Sequence, residues 1–546
     1  MMSLLAAMSA GPDVPPMIAK LSIIVPEIVM FVGTCVVLML GLSKTSTIRR
    51  ASVGAAGLAL IIAGIAAATG PQGVADSLLP HVMPYAKVLI AAVGFILLLL
   101  LTGTVDREVE AEADAGKPFD VLRANRAEFY AFFMFSLTGL MLCASADDLI
   151  WLFLALELTS LPTYVMVSIS TARSRSQEAG VKYFFLGAFS AAMLLMGFTF
   201  IYGATGYTQL FGYHSIASVI GAQGSLGPIA TLGFVMAIVG LCFKIAAVPM
   251  HFYTPDVYQG AAAGVSAMLA FVPKTAGFLG LMLLTSAVGW GLGGGYGLPS
   301  ELRLLLWVVA ALTMTFGNVL ALMQRSVKRI LAYSSIAHSG YMLVGIIAGP
   351  GAWGAGAPGN GLGAVLFYLM SYGVMNVGAF AVVASLEKQS GGEAEDVDDL
   401  RGLCKTHPLL GWIMVISSVT MLGLPFAIGF LGKFYLFTAG LRAGEVALIV
   451  VMGLNSAIAA FYYLRLAGAP LLEHRDEHEA SLVVTAFNSR KLAGLISAVG
   501  VLALLPFADR LATLSDHAAS YGASSEAAQA SASQAEHVDA RSVTDH

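Results

Sequence analysis

Charge is scarce in this chain. Asp, Glu, Lys and Arg make up 11% of its 546 residues, against about 25% in soluble domains. That excludes an ordinary soluble protein, and nothing points to a nucleic-acid partner. Cysteine is rarer still: Cys35, Cys143, Cys242 and Cys404 stand singly. They have neither metal-ligand nor disulfide spacing and read as small apolar side chains in or near helices. No haem, iron–sulfur or zinc motif is present. The glycine cluster GWGLGGGYG at 289–297 lacks the strand–turn–helix context of a nucleotide fingerprint. The opening MMSLLAAMSAGPDVPP has no basic n-region, which argues against a cleaved signal peptide.

Apolar length is what the chain has in abundance. Hydrophobic residues are 58% of the total and the mean hydropathy is +0.81. A run of about 20 apolar residues can cross a bilayer. Fourteen such runs are expected, near 21–42, 52–69, 83–104, 127–144, 148–168, 179–203, 228–250, 258–287, 302–323, 329–349, 361–386, 409–437, 445–467 and 491–508. The expected fold class is all-α, a polytopic membrane protein. The segment 387–408 reads as a mixed-charge surface loop, and the polar tail 509–546 is expected to be disordered.

The connections after spans 1, 3, 5, 9, 11 and 13 hold 19 of the 29 Lys and Arg residues. By the positive-inside rule these connections are cytoplasmic, and both termini then face outward. The connection after span 7, MHFYTPDVYQG, carries no Lys or Arg and takes its side from its neighbours. Lys20, Lys87, Arg303, Arg442, Arg510 and Arg541 fall on the opposite side. Four cations remain inside apolar runs: Lys182, Lys244, Lys274 and Lys433.

Two blocks of five spans resemble each other weakly. Span 5 ends SLPTYVMVSI and span 10 ends AHSGYMLVGI, aligning Tyr164 with Tyr341. Pro249 and Pro425 fall in matching spans, and SAMLAF at 266–271 answers SAIAAF at 456–461. Tandem blocks with an odd number of spans have opposite orientations in the membrane, so spans 4–8 and 9–13 read as an inverted repeat, an arrangement common in transporters. The expected units are 1–126, 127–287, 302–467, 491–508 and the tail 509–546. Proline removes a backbone donor, and irregular backbone at membrane depth is tolerated only against protein or water. Broken helices beside the buried lysines are therefore expected.

A cation at the bilayer centre costs at least about 2.5–3.5 kcal/mol, so these lysines are candidates for ion or proton handling. Glu157 shares a helix face with Ser160 and Tyr164. Lys182 opens span 6 and either snorkels to the interface or pairs with Glu157. Lys274 has Ser266, Ala270 and Gly277 on its face, leaving room for a long side chain. Lys244 lies five residues before Pro249, and Lys433 eight after Pro425. His338 is the histidine well inside a span, either a proton relay or a satisfied buried imidazole. His251, beside Pro249, is a weaker candidate.

Four stretches carry a family resemblance: RSQEAGVKYFFLGAFSAAMLLMGFTFIYGATG (175–206), FKIAAVPMHFYTPDVYQGAAAGVSAMLAFVPKTAGF (243–278), NVLALMQRSVKRILAYSSIAHSGYML (318–343) and GLPFAIGFLGKFYLF (423–437). The chain resembles the antiporter-like subunit N family of the proton-pumping NADH:quinone oxidoreductase, respiratory complex I. The resemblance implies a Glu157–Lys182 pair, a central Lys244, a second lysine at Lys274 and a terminal one at Lys433. It implies proton translocation alongside sister antiporter-like subunits in a bacterial inner membrane. NAD, FMN, iron–sulfur clusters and quinone would then belong to partner subunits, with no cofactor in this chain. Where the family has a Gly-Ala-Pro-Thr-Pro-like run, this chain has GAAAGVS at 260–266, so a softer break is expected there. A stand-alone cation/proton antiporter would need the same lysines.

Overall fold

The structure is a computed structural model that describes residues 21–71, 79–106, 109–110, 112, 115, 124–171, 174–290, 297–351, 359–388, 393–473, 482–484 and 488–520. The opening stretch 1–16, most of the glycine cluster at 289–297 and the tail from 521 lie outside the described residues. Helices dominate, in the order α1 (Val25–Gly41), α2 (Ser46–Thr69), α3 (Val82–Leu101), α4 (Arg126–Ala144), α5 (Leu149–Ile169), α6 (Ser174–Thr205), α7 (Pro228–Lys244), α8 (Thr254–Gly260) and α9 (Ala263–Val288). They continue as α10 (Ser300–Leu322), α11 (Val327–Ala348), α12 (Gly361–Ser385), α13 (Pro408–Leu422), α14 (Ile428–Arg442), α15 (Val446–Leu472), α16 (Ser489–Ala503) and α17 (Ala508–Ala518).

Local sequence explains the starts. Pro228 and Pro408 open α7 and α13, where a missing N–H costs nothing. Asp148 caps α5 by accepting from the Ile150 and Trp151 N–H groups. Among the described residues ten helices are long and apolar enough to cross a membrane, or eleven counting the bent pair α16–α17. The shorter apolar helices α1, α7 and α13 occupy expected spans 1, 7 and 12.

The helices form a core and a shell. α9 is buried along its whole length, and α11 and α12 nearly so. α2, α6, α10 and α15 surround them and expose large apolar side chains, among them Leu58, Phe185, Leu304 and Phe461. Such a surface is suited to lipid or to neighbouring apolar helices. At one edge Glu110 ties α2 to the start of α4, accepting from Arg49 Nε at 2.9 Å and from Arg126 at 3.2 Å.

Two expectations are corrected. The run expected as span 8 from residue 258 is divided: 254–260 is the separate short helix α8, and α9 begins at Ala263. Ala262 is extended between them, so the chain still breaks within GAAAGVS. The all-α class holds, with one short two-stranded ladder in which Leu386–Lys388 pairs antiparallel with Leu482–Val484. The stretch expected as a disordered tail from 509 opens on a helix instead, Ala508–Ala518, which buries Ala508, Ala512, Ser515 and Ala518. Alanine's high helix propensity and an apolar stripe at helical spacing outweigh the segment's polar composition.

Candidate functional site

The site grows out of the first break. α7 ends at Lys244, and the next helical turn starts only at Thr254. Ala246 takes a left-handed φ of 54°, strained for a residue with a Cβ. The freed backbone groups are satisfied by protein: Val248 N–H donates to Thr313 Oγ1 at 2.9 Å, and the Ile245 carbonyl accepts from Ser339 Oγ at 2.5 Å. Gly277 lets α9 approach this bend, since a Cβ there would lie 2.5 Å from the Ile245 side chain.

Lys244 is held at the end of α7 with its charge inside the protein. Its Nζ donates to Glu157 Oε1 at 3.0 Å and to Ser160 Oγ at 2.6 Å, both on α5. The two side chains are 1% and 17% exposed, so the pair is shielded from solvent and its mutual attraction is strong. Ser160 lies on the face of Glu157, as the helical spacing predicts.

Lys274 comes next. Its Nζ donates to Ser339 Oγ at 2.5 Å and to the Ser335 carbonyl on α11, and it faces the Tyr372 ring at 5.9 Å. Ser339 therefore joins the carbonyl of the α7 break to Lys274. One turn away on α11, His338 is fully engaged: Nδ1 bonds to Tyr368 at 2.5 Å and Nε2 to Tyr463 at 2.8 Å. Tyr463 also bonds to Ser334.

The second break holds Lys433. α13 ends at Gly423, whose φ of 87° suits only glycine comfortably, and α14 starts at Ile428 beyond Pro425. Lys433 Nζ donates to the Met421 and Leu422 carbonyls at 3.0 and 2.8 Å and faces the Tyr341 ring at 5.4 Å. Both donations use carbonyls left unpaired where a helix ends. A line of polar groups thus runs from Glu157 and Lys244 through Ser339, Lys274 and His338 towards Lys433, inside an apolar core.

A family model described as "NADH:quinone oxidoreductase/Mrp antiporter, TM" matches residues 146–459, which span this whole line. The chain belongs to that family. NADH-quinone oxidoreductase subunit N of Trichlorobacter lovleyi is 35% identical, over 88% of this chain and 93% of its own length. Subunit N 1 of Rhizobium meliloti is 34% identical, over 92% of this chain and 98% of its own length. A chain of respiratory complex I from Thermus thermophilus with bound aureothin superposes with a TM-score of 0.70 at 29% identity, covering 89% of this chain and 99% of that one. A chain of the Mrp complex from Dietzia sp. shares the fold, with a TM-score of 0.72 at 18% identity over 91% and 96% of the two chains.

One member of the family motif sits apart. Lys182 does not meet Glu157: it is 44% exposed and pairs with Glu178 at 2.7 Å and Asp256 at 3.0 Å. Arg329 bonds to the other oxygen of Asp256 at 2.8 Å. Glu178 and Asp256 lie within its reach, while Lys244 already occupies Glu157. His251 stacks on Phe316 at 6.2 Å and makes none of the bonds of the central line. Sequence reading missed Asp256 and the buried pair of Lys87 with Glu27 at 2.8 Å. A carboxylate and a lysine near the same edge of two apolar runs were the signal for that pair. Among the described residues no group of three or more His, Cys, Asp or Glu is placed to hold a metal ion.

Proposed function

We propose that this chain is a membrane-arm subunit of NADH:quinone oxidoreductase and translocates protons, driven by electron transfer from NADH to quinone in partner subunits. The observation that carries this reading is the Glu157–Lys244 pair, joined through Ser339 to Lys274 at a helix break in the apolar core. Glu157 and Lys244 are the pair that would take up the proton and pass it on when the contact between them opens. Ser339 and the His338–tyrosine group offer the relay, and Lys433 ends the line.

The redox steps fall outside this chain; NAD, FMN, iron–sulfur clusters and quinone are assigned to partner subunits, with sister antiporter-like subunits alongside. The protein is multi-pass in the membrane, and we place it in a bacterial inner membrane with both termini outward. α4–α9 and α10–α15 then act as inverted halves, each with one broken helix.

Purification from native membranes tests the assignment. The expected result is a large assembly with flavin absorbance and NADH-driven proton uptake. A small cofactor-free complex exchanging cations for protons would overturn it in favour of an antiporter.

Lys433 offers a separate check. A glutamate there would face the Met421 and Leu422 carbonyls at a helix C-terminus, where negative charge is disfavoured. Lys433→Glu is expected to slow NADH:quinone turnover more than Lys433→Ala, measured in matched, fully assembled membranes. Equal, near-normal rates would make Lys433 a structural charge only.

A further inference from the structure

A second buried acid–base pair lies well away from the central line. Lys87, five residues into α3, is 1% exposed, and Glu27 on α1 is 4% exposed. Lys87 Nζ lies 2.8 Å from Glu27 Oε1 and 3.1 Å from Oε2, and it donates to the Ile23 carbonyl at 2.7 Å. Ser145, just past the end of α4, donates from Oγ to Glu27 Oε1 at 3.2 Å.

This composition repeats the Lys244 site. Each has a lysine against a glutamate, a serine hydroxyl bonded to the pair, and a backbone carbonyl within reach of the ammonium, at Leu156 for Lys244 and Ile23 for Lys87. A purely structural clip needs no hydroxyl leading elsewhere, and here one does. Ser145 lines a cavity of about 10 Å³ together with Val82, Met83 and Asp147. That is about the space one water requires. Asp147 is half-buried and accepts from Gln209 at 3.4 Å. Glu27, Ser145, the cavity and Asp147 therefore form a graded series from the buried pair to the surface. On the far side the cavity is walled by Leu279, Met282 and Leu283 of α9, the helix that carries Lys274.

We propose that Glu27, Lys87 and Ser145 form a proton-exchange site opening through this cavity and Asp147 to the side of the membrane that receives the pumped protons. The inference rests on the function and orientation proposed above. In one exchange Lys87 passes a proton to the Glu27 carboxylate, leaving both neutral. The Ser145 hydroxyl then turns from Glu27 towards a water in the cavity, so that Glu27 gives its proton to the serine oxygen as the serine's own proton leaves to that water, and Asp147 takes it from the water. Glu27 is again a carboxylate beside a neutral lysine, a combination that attracts the next proton. Glu27 and Lys87 are the charged groups of the site, and Asp147 is the one lining the cavity.

The test uses the assembled enzyme in sealed vesicles, with a pH dye reporting release into the receiving compartment. Ser145→Ala keeps the ion pair and removes the relay; Glu27→Gln with Lys87→Met keeps the volume and removes both charges, which a structural pair tolerates. Both variants are expected to slow proton release at least about tenfold. Infrared difference spectra on acidifying that compartment are expected to show a carboxyl band in the parent that the double variant lacks. If the double variant fails to assemble, Ser145→Ala decides alone. Parental release rates in assembled Ser145→Ala would overturn the site, whereas absence of NADH-driven pumping in the parent itself would instead overturn the function.

Discussion

Lys244→Ala is expected to abolish nearly all NADH-driven proton pumping while the assembly survives. The ammonium is the partner of Glu157 at 3.0 Å and sits at the last residue of α7, where the backbone is already broken. Removing it leaves Glu157 without a cation, a loss of about 3–5 kcal/mol for a buried pair and less in proportion to the exposure of this carboxylate. That strain falls on one contact between α5 and α7, both of which stay packed against α6 and α9. Lys244→Arg is also expected to pump poorly, because a guanidinium does not release its proton near neutral pH. Proton uptake per electron in assembled membranes is the measurement. A parental ratio in Lys244→Ala would sink the assignment.

The second large effect is one of coupling. Glu157→Gln and Lys244→Met should each damage pumping severely and lower thermal stability while the assembly survives, and the double variant should lose less stability than the two singles combined. The coupling expected is roughly 2–3 kcal/mol, towards the upper end for residues in direct contact. The same cycle between Glu157 and Lys182 is expected to be additive, because Lys182 is engaged by Glu178 and Asp256 instead. Additivity at 157–244 together with strong coupling at 157–182 would mean that Glu157 pairs with Lys182 after all.

That contrast marks what the sequence could and could not disclose. Lys244, Lys274 and Lys433 were legible because a cation in a long apolar run is costly enough to require a reason, and the two broken helices were legible from Pro249 and Pro425. The partners were not. Whether Glu157 meets Lys182 or Lys244 depends on how far α6 slides past α5 and on where α7 stops, both set by packing between helices distant in sequence. Ser339 was hidden for the same reason: a serine in a span is unremarked until a broken neighbour offers it a carbonyl. Lys87 was misplaced by its position near the end of a run, where loop and membrane cannot be told apart by hydropathy, although Glu27 at a matching depth was already present. The break at Ala261–Ala262 was legible only as a soft one, because Ala and Gly favour no single conformation strongly enough to mark where the helix stops. The inverted relation of the two halves still rests on short sequence matches and on the paired breaks.

The buried state of α9, α11 and α12 also bears on how the protein is made. Their most apolar stretches are less apolar than those of the exposed shell helices α2, α6, α10 and α15. Helices that face lipid must be apolar enough to enter it unaided; those that end in the centre carry serines, histidine and lysine and are poorly matched to bare hydrocarbon. The polar central helices therefore need protein around them as they settle, and the lipid-facing α2 and α6 precede them in the chain. Order of synthesis, on this view, is part of what makes a charged interior attainable.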